Sequence, residues 1–191
     1  MNKTLIASLA VLLGSAAVAA PVTYNIDPDH TYPSFEADHM GGVSIWRGKI
    51  KSSSGKITLD TAAKAGTVEV TMNMATIDFG HDGMNKHALS PDIFDVAKFP
   101  TATFRGTMAK FNGDVPSEVT GQLTLHGVTK PVTLKINQFK CAVNPMTKAD
   151  FCGADAIATI NRSDFGVSYG TQMGFKPEVT LRIQVEAIKA T

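Results

Sequence analysis

Val179-Thr-Leu-Arg-Ile-Gln-Val-Glu-Ala187 places Val179, Leu181, Ile183, Val185 and Ala187 at every second position, with Thr180, Arg182, Gln184 and Glu186 between them. Successive side chains of a strand point to opposite faces, so this is the pattern of a strand with one buried face. The period recurs upstream. Val68, Val70, Met72 and Met74 alternate with Glu69, Thr71 and Asn73; Val119, Gly121, Leu123 and Leu125 repeat it, as do Val132, Leu134 and Ile136. Further strands are predicted at Thr23 to Asp27, Thr31 to Met40, Ser44 to Lys51, Gly55 to Asp60, Thr101 to Met108 and Ala156 to Arg162. Turn formers separate them: Pro28, Gly41-Gly42, Ser52-Ser53-Ser54-Gly55, Asn112-Gly113-Asp114 and His126-Gly127. Such short spacings favour antiparallel neighbours. An all-β domain of about eight or nine strands follows, which must either pack as two sheets or close into a barrel. One segment breaks the rhythm. Asp82 to Asp95 has helical character around Met84 to Leu89, ended by Pro91, and suits a cap over one end.

The ends of the chain set the address. Lys3, the apolar run Leu5 to Leu13 and the small residues up to Ala20 form the three-part layout of a cleavable secretory signal over residues 1–19, with Ala17-Val18-Ala19 at the cut. Residues 20–191 then form one domain of about 170 residues, enough for a sizeable core. The first cysteine is Cys141, far from the apolar run, so a lipid-modified N-terminal cysteine is excluded. Lys3 is one of 18 Lys and Arg; without it their number equals the 17 Asp and Glu. A neutral chain without a basic patch is a poor partner for nucleic acid or an anionic membrane. No second apolar run reaches the roughly 20 residues of a membrane span, so stable insertion is not expected. Two cysteines in an exported chain read as one disulfide, Cys141 to Cys152, across a loop containing Asn144-Pro145. The rival, a metal pair, has poor zinc spacing with no histidine between them.

Chemistry is sparse. The chain holds no G-x-S-x-G elbow, no H-E-x-x-H, no C-x-x-C and no phosphate loop. Of the five histidines, His81 and His87 are six apart, which does not place two ligands on one helical face. His126 beside Gly127 reads as structural, and His30 follows a turn. His39 shares a strand face with Phe35 and Ala37 and is the candidate for a polar tip at a pocket mouth, against a plain core histidine. Glu36 and Asp38 share the opposite face, which reads as solvated rather than as an acid–base pair. Met40, Met72, Met74, Met84 and Met108 supply adaptable apolar surface, suited to core filling or to a flexible lipid tail. Asn161-Arg162-Ser163 matches a glycosylation sequon that a bacterial export product would not use.

Five segments carry a family resemblance: Tyr24-Asn-Ile-Asp-Pro-Asp-His30; Phe35-x-x-x-His39; His87-x-Leu89 through Phe94-Asp95 and Phe99-Pro100 to Phe104; Gly121-Gln-Leu-Thr-Leu-His-Gly-Val-Thr-Lys-Pro-Val132; and Arg162-Ser-Asp-Phe-Gly166. Together they resemble the YceI-like family of bacterial periplasmic proteins, over nearly the whole exported chain. The cysteine loop resembles a subgroup that includes a neisserial ubiquinone-binding antigen. The resemblance implies a lipocalin-like, elongated antiparallel β-barrel with a short helical cap, holding a polyisoprenoid chain in an apolar tunnel, and homodimers among relatives. It brings no catalytic residues, and Gly83-Met84-Asn85 departs from a more charged run in some relatives.

The leading expectation is therefore a non-enzymatic periplasmic carrier of a polyisoprenoid lipid, a quinone such as ubiquinone, with no covalent cofactor and no metal. The apolar faces supply the expected lining: Phe35, Met72, Met74, Phe104, Leu123, Leu125, Leu134, Ile136, Ile183 and Val185, with His39 as the polar tip. Arg47, Arg105 and Arg162 are the candidates for a head-group contact, unplaced by sequence alone. Two rivals are an electron-transfer partner using metal or haem on the histidines, and an interaction module whose barrel is filled by its own side chains.

Overall fold

Each alternating segment pairs with its sequence neighbour. The computed structural model describes residues 20–191; the export signal expected over residues 1–19 lies outside them. The strands are β1 (Val22–Ile26), β2 (Tyr32–His39), β3 (Ser44–Ile50), β4 (Ser53–Asp60), β5 (Ala65–Asn73), β6 (Ile77–Asp78), β7 (Thr101–Asn112), β8 (Val115–Leu125), β9 (Val128–Val143), β10 (Asp150–Asn161) and β11 (Glu178–Lys189). The one α-helix among the described residues, α1 (Asp82–Leu89), sits between β6 and β7.

These eleven segments form eight staves. Along one edge of β11, β1 pairs with Ala187 to Lys189 and β2 with Val179 to Gln184, so β1 and β2 are two pieces of one stave. In the same way β3 and β4 pair with β2 and β1, and β5 and β6 pair with β4 and β3. The remaining staves follow in chain order, all antiparallel, and β11 meets β1 and β2 to close the ring. The result is an up-and-down eight-stave barrel, which removes the open edges a flat sheet would expose. Of the two all-β arrangements open to the sequence, this is the barrel.

The breaks in the first staves have local causes. Pro28 has no N–H to give the ladder. Across that gap Thr31, buried to 1%, donates its hydroxyl to the Glu186 carbonyl at 3.0 Å and accepts from the Glu186 N–H at 3.1 Å. A side chain thus replaces the missing backbone pair. Met74, expected at the end of the β5 alternation, instead opens a short 3₁₀ turn, Met74–Thr76, whose cap is Asn73, and it is still buried.

Several strands run longer than expected. β9 and β10 pass through both cysteines, which face each other directly in register and form the disulfide. The bridge therefore joins two paired strands, and the intervening loop is only residues 144–149. Cys152 points inward and is buried.

Antiparallel order puts the segments 40–43, 79–100, 126–127 and 162–177 at one end of the barrel. There α1 buries Ala88 against Ile50, Met74, Ile77 and Ala102. The His126 ring lies on Phe99 (4.4 Å) and its Nδ1 is 3.2 Å from the Phe165 carbonyl, so this histidine is structural as expected. The outer wall carries exposed ion pairs. Glu36 meets Arg182 at 2.9 Å and Arg47 at 3.0 Å, which together hold its carboxyl below the usual range.

At the β1–β2 break the His30 Nδ1 is 2.8 Å from Asp27 Oδ2. This bond and the carboxylate charge raise the His30 pKa. For Asp27 partial burial pushes upward, but bonds from His30 and from the Asp29 N–H outweigh it and the net shift is downward. The His30 contribution is full below its unfolded value near about 6.5 and is lost as pH rises through the raised folded value; the Asp27 contribution is full above about 3.9 and is lost as pH falls through the lowered one. A His30→Ala variant should therefore melt slightly below wild type between those values, and the gap in melting temperature should narrow with rising alkalinity. A gap of constant size from pH 5 to 9 would show that the pair does not contribute.

Candidate functional site

Inside the barrel the inward faces do not meet. They enclose a cavity of about 540 Å³, where about 10–15 Å³ suffices for one water and 300–1,000 Å³ is the range of small-molecule sites. A barrel filled by its own side chains is thus ruled out. The alternating face of β11 lines it from Val179 through Leu181, Ile183 and Val185 to Ala187. The eight residue steps from Val179 to Ala187 rise about 26 Å along the strand, so the cavity is a channel along the barrel rather than a pouch at one end. This hollowness also explains why Val68, Val70, Met72, Leu134 and Ile136 are only half-buried although they point inward.

The structure places Phe35, His39, Met72, Met74, Phe104, Leu123, Leu125, Leu134, Ile136, Ile183 and Val185 on the wall of this cavity. Phe104 and Leu123 are at the same time buried core, packed with Val119, Val132 and Phe165. The five methionines singled out from the sequence are lining residues as well, joined by Met173. Long unbranched side chains can follow a guest of variable shape.

Exposed Met40, Tyr169 and Met173 line the cavity, so it reaches the surface at the end formed by segments 40–43 and 162–177, and aromatic rings cluster at this open end. Phe35 meets Phe79 edge-on at 5.4 Å, Phe79 meets Trp46 at 6.0 Å, and His39 lies between Trp46 (5.4 Å) and Phe175 (5.1 Å). His39 is half-buried on the cavity wall with its Nδ1 3.3 Å from Ser44 Oγ. Gly48, paired with Phe35, makes room for this arrangement, since a Cβ there would come within 2.5 Å of the Phe35 ring.

Polar lining is concentrated at the same end. Asp38, expected on the solvated outer face with Glu36, turns over the rim into the lining, because its Oδ2 accepts from the Gly41 and Lys176 N–H groups, both at 3.0 Å. Of the three candidate arginines, Arg47 lies on the outer wall against Glu36, Arg105 faces a shallow outer groove beside Glu69, and Arg162 lines the channel. No lysine and no other arginine does. Arg162 Nη1 donates to the Val167 carbonyl at 2.8 Å. Burial lowers its pKa, opposed by the charge of Asp38, so the guanidinium stands in a medium where a further acceptor would be favourable.

The histidines serve structure at this end. His81 Nδ1 accepts from the Met84 N–H at 3.1 Å and caps α1. His87 packs edge-on against Tyr169 (4.8 Å) and sits 3.6 Å from Asp92, lining the channel. Among the described residues no group of three or more His, Cys, Asp or Glu is placed to hold a metal ion. No helix among them is long and apolar enough to cross a membrane.

Some lining residues were not singled out in the sequence. Trp46 was legible, because Trp46, Gly48 and Ile50 continue one inward parity on β3. Phe79, Phe94, Tyr169 and Phe175 lie outside the strands, where no period marks a face.

Comparison with known proteins agrees with this architecture. Residues 24–187 match the YceI-like domain. A UPF0312 protein of Pseudomonas aeruginosa is 36% identical over 198 residues, covering 99% of both chains. Among solved structures, Burkholderia cenocepacia BcnA superposes with a TM-score of 0.70 at 25% identity over 87% of this chain and 99% of its own. A polyisoprenoid-binding domain from Saccharophagus degradans, implicated in plant cell wall breakdown, superposes at 0.62 with 14% identity, over 88% and 99%.

Proposed function

This chain belongs to the YceI-like family, and from that premise we propose that it is a carrier or reservoir for a polyisoprenoid lipid, binding without chemistry, with the tail in the barrel channel and a quinone head at the Arg162 end. The observation that carries the reading is the channel itself: about 26 Å of continuous apolar wall with its one permanent cation at the open end. Burying ten methylene equivalents of tail supplies about 8 kcal/mol gross, which after ordering costs leaves roughly micromolar binding or better. The polyisoprenoid-binding neighbour has the same fold, which supports a prenyl guest. The disulfide suits an oxidising compartment, and the periplasm is the one we assign.

Native mass spectrometry and organic extraction of protein from its own host test the reading. A prenyl lipid in the extract is the expected result. Empty protein that also takes up no prenyl lipid from detergent would overturn it.

The head group is tested at Arg162. A quinone carbonyl offers an acceptor to the guanidinium, and a hydrogen bond to a charged group is worth about 1.5–3 kcal/mol. Arg162→Met should therefore weaken binding of a prenylquinone by roughly tenfold or more, while binding of a prenyl hydrocarbon of the same length changes little. Equal losses for both ligands would mean that Arg162 acts only through its bond to Val167.

A further inference from the structure

The channel opens beside an exposed apolar ledge. The turn 40–43 and the segment 170–176 are in direct contact: a Cβ on Gly41 would stand 3.2 Å from the Gly174 carbonyl, the Lys176 N–H is bonded to Asp38, and Phe175 packs on His39. Around this junction Met40, Val43, Ile45, Tyr169 and Met173 are exposed, Val43 to 79%. Met40, Tyr169 and Met173 line the channel as well, so the ledge is continuous with its wall. Residues 40–47 and 166–177 contain no Asp or Glu and include Arg47 and Lys176. Trp46 and Tyr169, the side-chain types that settle at membrane interfaces, stand at the junction.

We propose that this ledge docks reversibly on a phospholipid bilayer, so that a prenyl chain passes between membrane and channel without crossing water. The inference rests on the prenyl-carrier reading. Large exposed apolar patches mark interaction sites, and a lipid surface is the occupant that the opening requires, because the guest is a membrane component. The one carboxylate at the junction, Asp38, is half-buried and held by the Gly41 and Lys176 N–H groups, which limits its repulsion of lipid phosphates, and apolar side chains with a flanking cation such as Lys176 are the composition of interfacial anchors. The other large apolar residues that are exposed among the described residues, Val115, Val143, Met146 and Ile188, lie toward the opposite end of the barrel.

Trp46 is the only tryptophan in the chain and is a built-in reporter. The test uses the exported protein with vesicles of phosphatidylethanolamine and phosphatidylglycerol that contain no prenyl lipid. Co-sedimentation with the vesicles and quenching of Trp46 by lipids brominated near the head group are expected. Val43 and Ile45 do not line the channel, so a Val43→Asp, Ile45→Ser variant should lose vesicle binding by about tenfold or more while taking up prenylquinone from detergent as wild type does. Its rate of transfer from vesicles should fall, and the wild-type rate should rise with vesicle concentration. Uptake from detergent without vesicle binding, or a transfer rate that the variant leaves unchanged, overturns docking and leaves the carrier reading standing. Vesicle binding by protein that takes up no prenyl lipid overturns the carrier reading, and with it the transfer role of the ledge.

Discussion

Ala156→Phe is expected to abolish prenyl-lipid binding while leaving the barrel folded. Ala156 is buried on β10 at the middle of the channel, paired with Ile183 on one side and Ile136 on the other, and all three line it. Ile183 is the central residue of the β11 lining face, so a ring at Ala156 stands halfway along. A tail stopped there loses about half of its buried length. Half of about 8 kcal/mol is about 4 kcal/mol, or roughly a thousandfold in affinity. The ring enters space that is already empty, so the strain of forcing a side chain into a close-packed core does not apply in full, and filling a cavity can stabilise. The melting temperature should stay within a few degrees of wild type. Titration with a prenylquinone, together with extraction of the purified variant, checks the result. Wild-type affinity in the phenylalanine variant would show that the tail does not pass the midpoint.

Removal of the disulfide is expected to give the largest loss of stability. Cys141 and Cys152 are separated by 11 residues, and closing a loop of that size is worth about 3 kcal/mol in the chain-entropy model. For a domain of this length that corresponds to a fall in melting temperature of about 6–12 °C. The location sharpens the expectation. β8 pairs with β9 only as far as Lys135, whereas β9 and β10 continue together to Val143 and Asp150. The outer part of that hairpin has β10 and β11 beside it but no partner on its other edge, and the bridge holds it there. A Cys141→Ser, Cys152→Ser variant, or wild type in reductant, should show this fall in a thermal scan. A change of less than about 2 °C would mean that pairing alone fixes the hairpin. Because Cys152 lines the channel, binding measured well below the transition is the accompanying control.

The staves were legible because each shows a period of two, and the inward parity of β2, β5, β8, β9 and β11 named true lining residues. Hollowness was not legible. Whether opposite walls meet depends on the number of staves and their stagger, which fix the barrel diameter after closure. Parity also separates the arginines in retrospect: Arg105 stands between inward Phe104 and Gly106, and Arg47 between Trp46 and Gly48, whereas Arg162 begins the turn after β10 where parity ends. The division of three staves into two pieces followed from groups such as the Thr31 hydroxyl, whose partner Glu186 lies 155 residues away. No local pattern encodes such a pair.

Closure of the ring has a consequence for how the chain reaches this structure. Seven of the eight seams join staves adjacent in sequence, so most of the ladder can zip up from local hairpins. The last seam joins Val22–Ile26 and Tyr32–His39 to Glu178–Lys189, nearly the full length of the domain apart. Contacts of that separation form late, since the entropy of closing so long a loop must be overcome first. Until the final twelve-residue strand arrives, the curled meander exposes two bare edges and its entire apolar lining to solvent. Synthesis from the N-terminus therefore leaves the nascent domain vulnerable to edge-to-edge aggregation until its last strand is released, and a holding factor at that stage would need to recognise little more than an unpaired strand.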